Sequence, residues 1–122
     1  MADTWIFVAV AGRGTLAIPF PEVVRILHRG DSDWGPHRPS ALHLARVLGW
    51  GSDEPDPGVL LLLADGRAWL ADDVTRPAST DWEYLPIPEA CLRTRPGWAR
   101  AVLHSGEGHA FVVDVGALEA LS

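Results

Sequence analysis

The sequence predicts an all-β, mainly antiparallel domain with one or two short helices, built as a barrel or a pair of small barrels. Three observations point there. Runs of apolar, β-branched and aromatic residues come in three pairs (5–10 with 15–20, 59–63 with 68–74, 97–104 with 109–115), each joined by a short glycine-bearing turn. No strand–helix–strand alternation separates the pairs, which argues against a parallel sheet. At 122 residues the chain is one domain, 1–122, large enough for a real core and too small for two ordinary ones.

Taken in order, Trp5 to Val10 and Thr15 to Phe20 read as an antiparallel hairpin, with Gly12 and Gly14 suited to the positive φ of its loop. A phosphate-cradling role for this Gly-Arg-Gly turn would need a helix directly after it, and Pro19 and Pro21 follow instead. Glu22 to Leu27 carries apolar residues at 23, 24, 26 and 27, a spacing that suits one helical turn or an edge strand equally. Residues 28–40, HRGDSDWGPHRPS, have the composition of a loop. Weak alternation resumes at Ala41 to Leu44, and LARVLGW reads as a short helix stopped by Gly49.

GSDEPDPG, 51–58, is an acidic, turn-rich loop. VLLLLADGRAWLADDV then gives the clearest signal in the chain: an apolar strand, an Asp65-Gly66 turn and a second strand ending near Val74. Residues 75–83 form a loop into YLPIP, whose two prolines restrict it to an edge or an extended connector. GWARAVLH, the SGEG turn and HAFVVDV make the third hairpin, and GALEALS can close with one helical turn.

Charge excludes some partners. The net charge is −6, and the ten basic residues, all arginine, gather into no stripe, so phosphate backbones and anionic lipid surfaces find little counter-charge. The opening MADTWIFVAVAG has no basic n-region and reads as a first strand rather than a signal peptide. GVLLLLA, 58–64, falls far short of the roughly 20 residues of a membrane helix. A soluble, cytoplasmic protein without membrane insertion is expected. One cysteine, Cys91, leaves no internal disulfide framework.

Few residue groups suggest chemistry. Asp72 and Asp73 are adjacent at a strand end, so their side chains should point to opposite faces rather than share one site. His28, His37, His43, His104 and His109 fit no compact ligand spacing, and Cys91 in an apolar context reads as a buried thiol. No catalytic group, metal site or cofactor is expected. Six tryptophans are more suggestive: Trp5 and Trp69 lie in strands, whereas Trp34, Trp50, Trp82 and Trp98 lie at element edges, where an indole can anchor a partner.

The order of these pieces resembles the CheW-like family, scaffold modules that couple bacterial chemoreceptors to their histidine kinase. TWIFVAVAGRGTLAIPFPEVVRIL is similar to the family's opening hairpin and Val-x-x-Ile segment, with Val23 and Ile26 in the apolar places. ALHLARVLG resembles the stretch that runs into the family's DLR. LADDV stands for VVDxV through Asp72 and Val74, and the third hairpin with GALEAL follows the closing strands and helix. The resemblance implies two small SH3-like barrel lobes over a shared core. One lobe is reduced, because only residues 28–40 fill the place of the family's GxxNLRG segment. It also implies partner contacts at Val23, Arg25, Ile26, His43, Asp72 and Val74. Arg25 reverses the acidic residue usual before the isoleucine, and His43 replaces the Asp of DLR; such reversals can redirect specificity.

The function so implied is a non-enzymatic adaptor of a chemosensory system. Its partner would be a histidine kinase regulatory domain, a chemoreceptor's cytoplasmic tip or another CheW-like protein, and an uncovered strand edge in the shortened lobe would also allow self-association. The alternative is a small barrel enzyme or ligand-binding protein using Asp72, Asp73 and nearby histidines in a cleft.

Overall fold

The computed structural model describes residues 5–12, 14–51, 57–75, 82–87, 97–106 and 108–121. Cys91 and the opening residues 1–4 lie outside them. All three expected hairpins form. β1 (Trp5–Val10) pairs with β2 (Gly14–Pro19), β5 (Val59–Leu63) with β6 (Ala68–Ala71), and β9 (Ala99–Ser105) with β10 (Gly108–Val113), each antiparallel.

Between them lie β3 (Val23–His28), β4 (Leu42–His43), β7 (Asp73–Thr75) and β8 (Glu83–Pro86), with short helices α1 (Trp34–His37), α2 (Leu44–Val47) and α3 (Val115–Glu119). The strands make two mixed sheets, ordered β7-β1-β2-β10-β9-β8 and β3-β5-β6-β4. Two pairings are parallel, β2 with β10 and β4 with β6; the first joins the opening and closing hairpins into one sheet. The structure is thus mostly β, with two mixed sheets and a few short helices, the fold class the sequence predicts.

Strict period-two alternation explains the layering. In β1 and β2, Ile6, Val8, Val10, Leu16 and Ile18 enter a cluster between the sheets, while Phe7 and Ala17 face the other way with Ala101, Leu103, Ala110 and Val112. β5 and β6 divide likewise: Leu61, Leu63, Trp69 and Ala71 join the central cluster, and Leu60, Ala68 and Leu70 lie on the outer face of the smaller sheet. Each fully buried aliphatic side chain of this kind contributes about 1.5–3 kcal/mol of transfer free energy.

Four local readings are resolved or corrected. Glu22 to Leu27 resolves as a 3-10 turn at Phe20–Glu22 followed by strand β3, on the edge of the smaller sheet. Residues 28–40 are not bare loop: they hold α1 and a 3-10 turn, Arg38–Ser40, and Trp34 packs against the outer cluster of Leu27, Leu60, Ala68 and Leu70. The strand expected to run to Val74 breaks at Asp72, because the chain there leaves the smaller sheet and β7 pairs with β1 of the larger one; the Asp72 amide donates to the Ala9 carbonyl at 3.0 Å. Finally, Ala11 (φ 55°) and Gly12 (φ 64°) take the left-handed positions of the first turn, whereas Gly14 lies in β2. Gly14 is glycine for space: a Cβ there would sit 2.9 Å from the Trp50 ring.

Other expectations hold. Gly49 ends the α2 segment with φ 72°, and YLP lies in edge strand β8. Asp114 caps α3, its Oδ1 accepting from the Ala117 amide at 3.1 Å. Among the described residues no helix is long and apolar enough to cross a membrane.

Candidate functional site

An outward-facing apolar feature sits on β3. Its ladder with β5 pairs Val23 with Leu63 and Arg25 with Leu62, so Val24 is an extra residue with no opposite number. Such a bulge turns the unpaired side chain outward, and bulges concentrate at sheet edges where they re-aim a residue. Val24 is accordingly 68% exposed, the most exposed large apolar side chain among the described residues, and Phe20 on the preceding 3-10 turn is 39% exposed. Beside it Arg25 reaches Asp33 at 2.7 Å, so the turn after β3 folds back along the strand. A second bond holds that turn: Asp31 Oδ2 accepts from the His28 amide at 2.8 Å.

The residues expected at a partner surface fall in three places. Val23, Arg25 and Ile26 share β3, but Val23 is buried in the central cluster and Ile26 is half-buried against it, leaving Arg25 as the exposed member. His43 is buried on β4, at the opposite edge of the same sheet. Asp72 and Val74 lie off this strand: Asp72 is exposed at the crossing between sheets, and Val74 is half-buried against the core, paired with Val8. Sequence reasoning passed over Val24. The signal was present in VVRIL, where two adjacent valines cannot both face inward from a regular strand.

The acids and histidines of the alternative reading do not converge. Asp73 lies on β7 and the cross-strand pair His104 and His109 on β9 and β10, four and three strands away from it, while His28 is in the other sheet. Asp73 Oδ1 accepts from the Val74 amide at 2.8 Å. Among the described residues no group of three or more His, Cys, Asp or Glu is arranged to hold a metal ion.

A second cluster lies where α3 meets the β5–β6 turn. Trp69 is fully buried and must find a partner for its indole N–H, which it donates to Glu119 Oε2 at 3.1 Å. Glu119 is itself only 7% exposed, with Arg67 Nε 4.0 Å from its Oε2. Burial, reinforced by the Asp65 carboxyl, pushes Glu119 up to about 7, against the pull of the Trp69 N–H and Arg67. Asp65 moves the other way, held below the ordinary carboxylate range first by the Glu119 carboxyl and then by the Arg67 amide and guanidinium. A shallow groove of about 320 Å³ adjoins the cluster, lined by Glu22, Asp65, Arg100, Asp114 and the start of α3.

No model of a known protein family matches the sequence, and no curated protein matches it. Among solved structures, the chain is similar to the crystal structure of the scaffolding protein TtCheW from Thermoanaerobacter tengcongensis, with a TM-score of 0.67 at 11% identity over 93% of this chain and 90% of that one. At that identity the likeness is one of fold, and it spans both sheets. The chain therefore has the architecture of a CheW scaffold protein.

Proposed function

We propose that this chain is a non-enzymatic adaptor in a cytoplasmic chemosensory system, binding another polypeptide through the β3 edge around Val24 and Arg25. The carrying observation is the outward bulge of Val24 on an edge strand of a fold shared with a scaffold protein. Val24 and Phe20 offer apolar area, Arg25 and Asp33 frame it with charge, and the strand's outer side offers backbone groups. The partner classes are a histidine kinase regulatory domain, a chemoreceptor's cytoplasmic tip and another CheW-like protein, this chain included. In this reading Val23 and Ile26 support the surface from beneath, while His43 on β4, Asp72 and Val74 lie outside the β3 edge.

Val24→Asp tests the reading. It should weaken binding to the partner about tenfold or more, equivalent to roughly 1.4 kcal/mol, while the far-UV spectrum and melting temperature stay those of the parent. Ile26→Asp is the poorer probe, since Ile26 packs on the core and its loss would disturb the fold. Unchanged affinity in Val24→Asp would move the contact to another face; absence of micromolar binding to all three partner classes would overturn the adaptor reading itself.

A further inference from the structure

The cross-strand pair His104 and His109 belongs neither to the β3 surface nor to the Glu119 cluster. In the sequence four residues separate these histidines, a spacing that matches no compact ligand motif. The fold brings them face to face: β9 and β10 are joined through residues 106 and 107 alone, and the register sets His109 directly opposite His104. Directly opposed residues of an antiparallel ladder project to the same face, with Cβ atoms about 4.5–5.5 Å apart, and so short a loop fixes that register. Both side chains are exposed. Phe111, two residues along β10, meets the His109 ring edge-on at 5.9 Å and is itself braced by Trp98 at 5.9 Å, which gives one imidazole of the pair a packed neighbour. On the other flank Glu83 of β8 stands opposite His104 and adds a carboxylate beside the pair.

We propose that His104 and His109 form a surface site for a borderline divalent transition-metal ion, zinc(II), nickel(II) or copper(II), with their two imidazoles as its protein ligands. Neutral imidazole suits these ions, and the spacing of directly opposed strand residues lets two rings close on one ion at the usual metal–nitrogen length of about 2.0–2.1 Å. Among the described residues no group of three or more His, Cys, Asp or Glu is arranged around one point, so water or a group from another molecule completes the coordination. Glu83 acts through its charge, which draws a cation toward His104. A bound ion ties β9 to β10 beside their turn. It therefore stabilises the closing hairpin, because the folded register presents both rings together and the unfolded chain holds them in no fixed relation.

Zinc chloride titrated into the isotope-labelled full chain tests the site, read through the ring nitrogen resonances of the five histidines. One equivalent should bind, with the His104 and His109 rings shifting together and the other three unmoved, and saturating zinc should raise the melting temperature. His104→Ala and His109→Ala should each weaken binding about tenfold or more and remove the thermal gain, since a chelate fails when either arm is lost. His28→Ala, in the other sheet, should change neither. Because both histidines are exposed, the alanine variants should keep the parent's far-UV spectrum. Zinc bound at the parent's affinity in either single variant, ring shifts at other histidines instead, or no binding up to millimolar zinc would overturn the site; none of these results depends on whether the β3 surface binds a partner.

Discussion

At the scale of single residues, two side chains are decided by what lies across from them. Gly14 faces the Trp50 ring, which in turn meets Trp98 edge-on at 6.2 Å, and Trp98 meets Phe111 at 5.9 Å. Gly14→Ala should therefore push Trp50 off this stack and cost about 1–3 kcal/mol, the usual penalty for inserting a methyl group into packed surroundings; denaturant unfolding measures the loss, and a red-shifted tryptophan emission reports the displaced ring. Glu119 makes a pH prediction. Its carboxyl is raised from the ordinary 4.5 to about 7, so the folded chain binds more protons than the unfolded one across that window. Stability from this group is complete below 4.5 and falls as pH rises through about 7. Asp65, held below 3.8, acts in the opposite sense and loses its contribution only in stronger acid. Thermal melts should thus show a declining melting temperature between mildly acidic and neutral pH, and Glu119→Gln should flatten that decline. Neither role was legible in the sequence: Gly14 reads as a turn glycine, and GALEALS reads only as a closing helical turn, with nothing to single out Glu119.

At the scale of elements, β3 carries the functional argument. Five of its six residues pair with β5, and the sixth, Val24, is expelled by the bulge. Deleting Val24 would leave Val23 and Arg25 adjacent, opposite Leu63 and Leu62, so the ladder would run without interruption. The deletion variant should fold with stability equal to or above the parent, measured by thermal unfolding, and should lose partner binding. Loss of folding would show instead that the bulge is needed to fit the strand to the core. Here the sequence left a helical turn and an edge strand equally open, and the bulge position was not readable at all, because a bulge depends on how β3 meets β5, a segment more than 30 residues away. The hairpins were legible for the converse reason. Asp65-Gly66 closes a turn between residues adjacent in sequence, with Gly66 at φ 87°, and needs no distant partner to specify it.

At the scale of the whole molecule, one cluster joins the two sheets, drawing Ile6, Val8 and Leu16 from one and Leu61, Leu63 and Trp69 from the other. The sheets should therefore unfold together. Leu61→Ala, at a fully buried position, should cost about 2–5 kcal/mol through lost transfer energy and the cavity it leaves. Far-UV and tryptophan-emission transitions should still coincide in that variant; separated transitions would mean that the sheets fold as independent units. By itself the sequence determined the three hairpins, their turns and their apolar alternation, since turn geometry and period-two burial are local properties of the chain. It also carried the order of pieces that resembles the CheW fold. Tertiary structure alone decided which strands became edges, that the chain changes sheets at Asp72, that Val24 rather than Val23 faces outward, and that Glu119 receives the Trp69 indole N–H. Each of these depends on contacts between segments distant in sequence, whose pairing follows from packing the whole core at once.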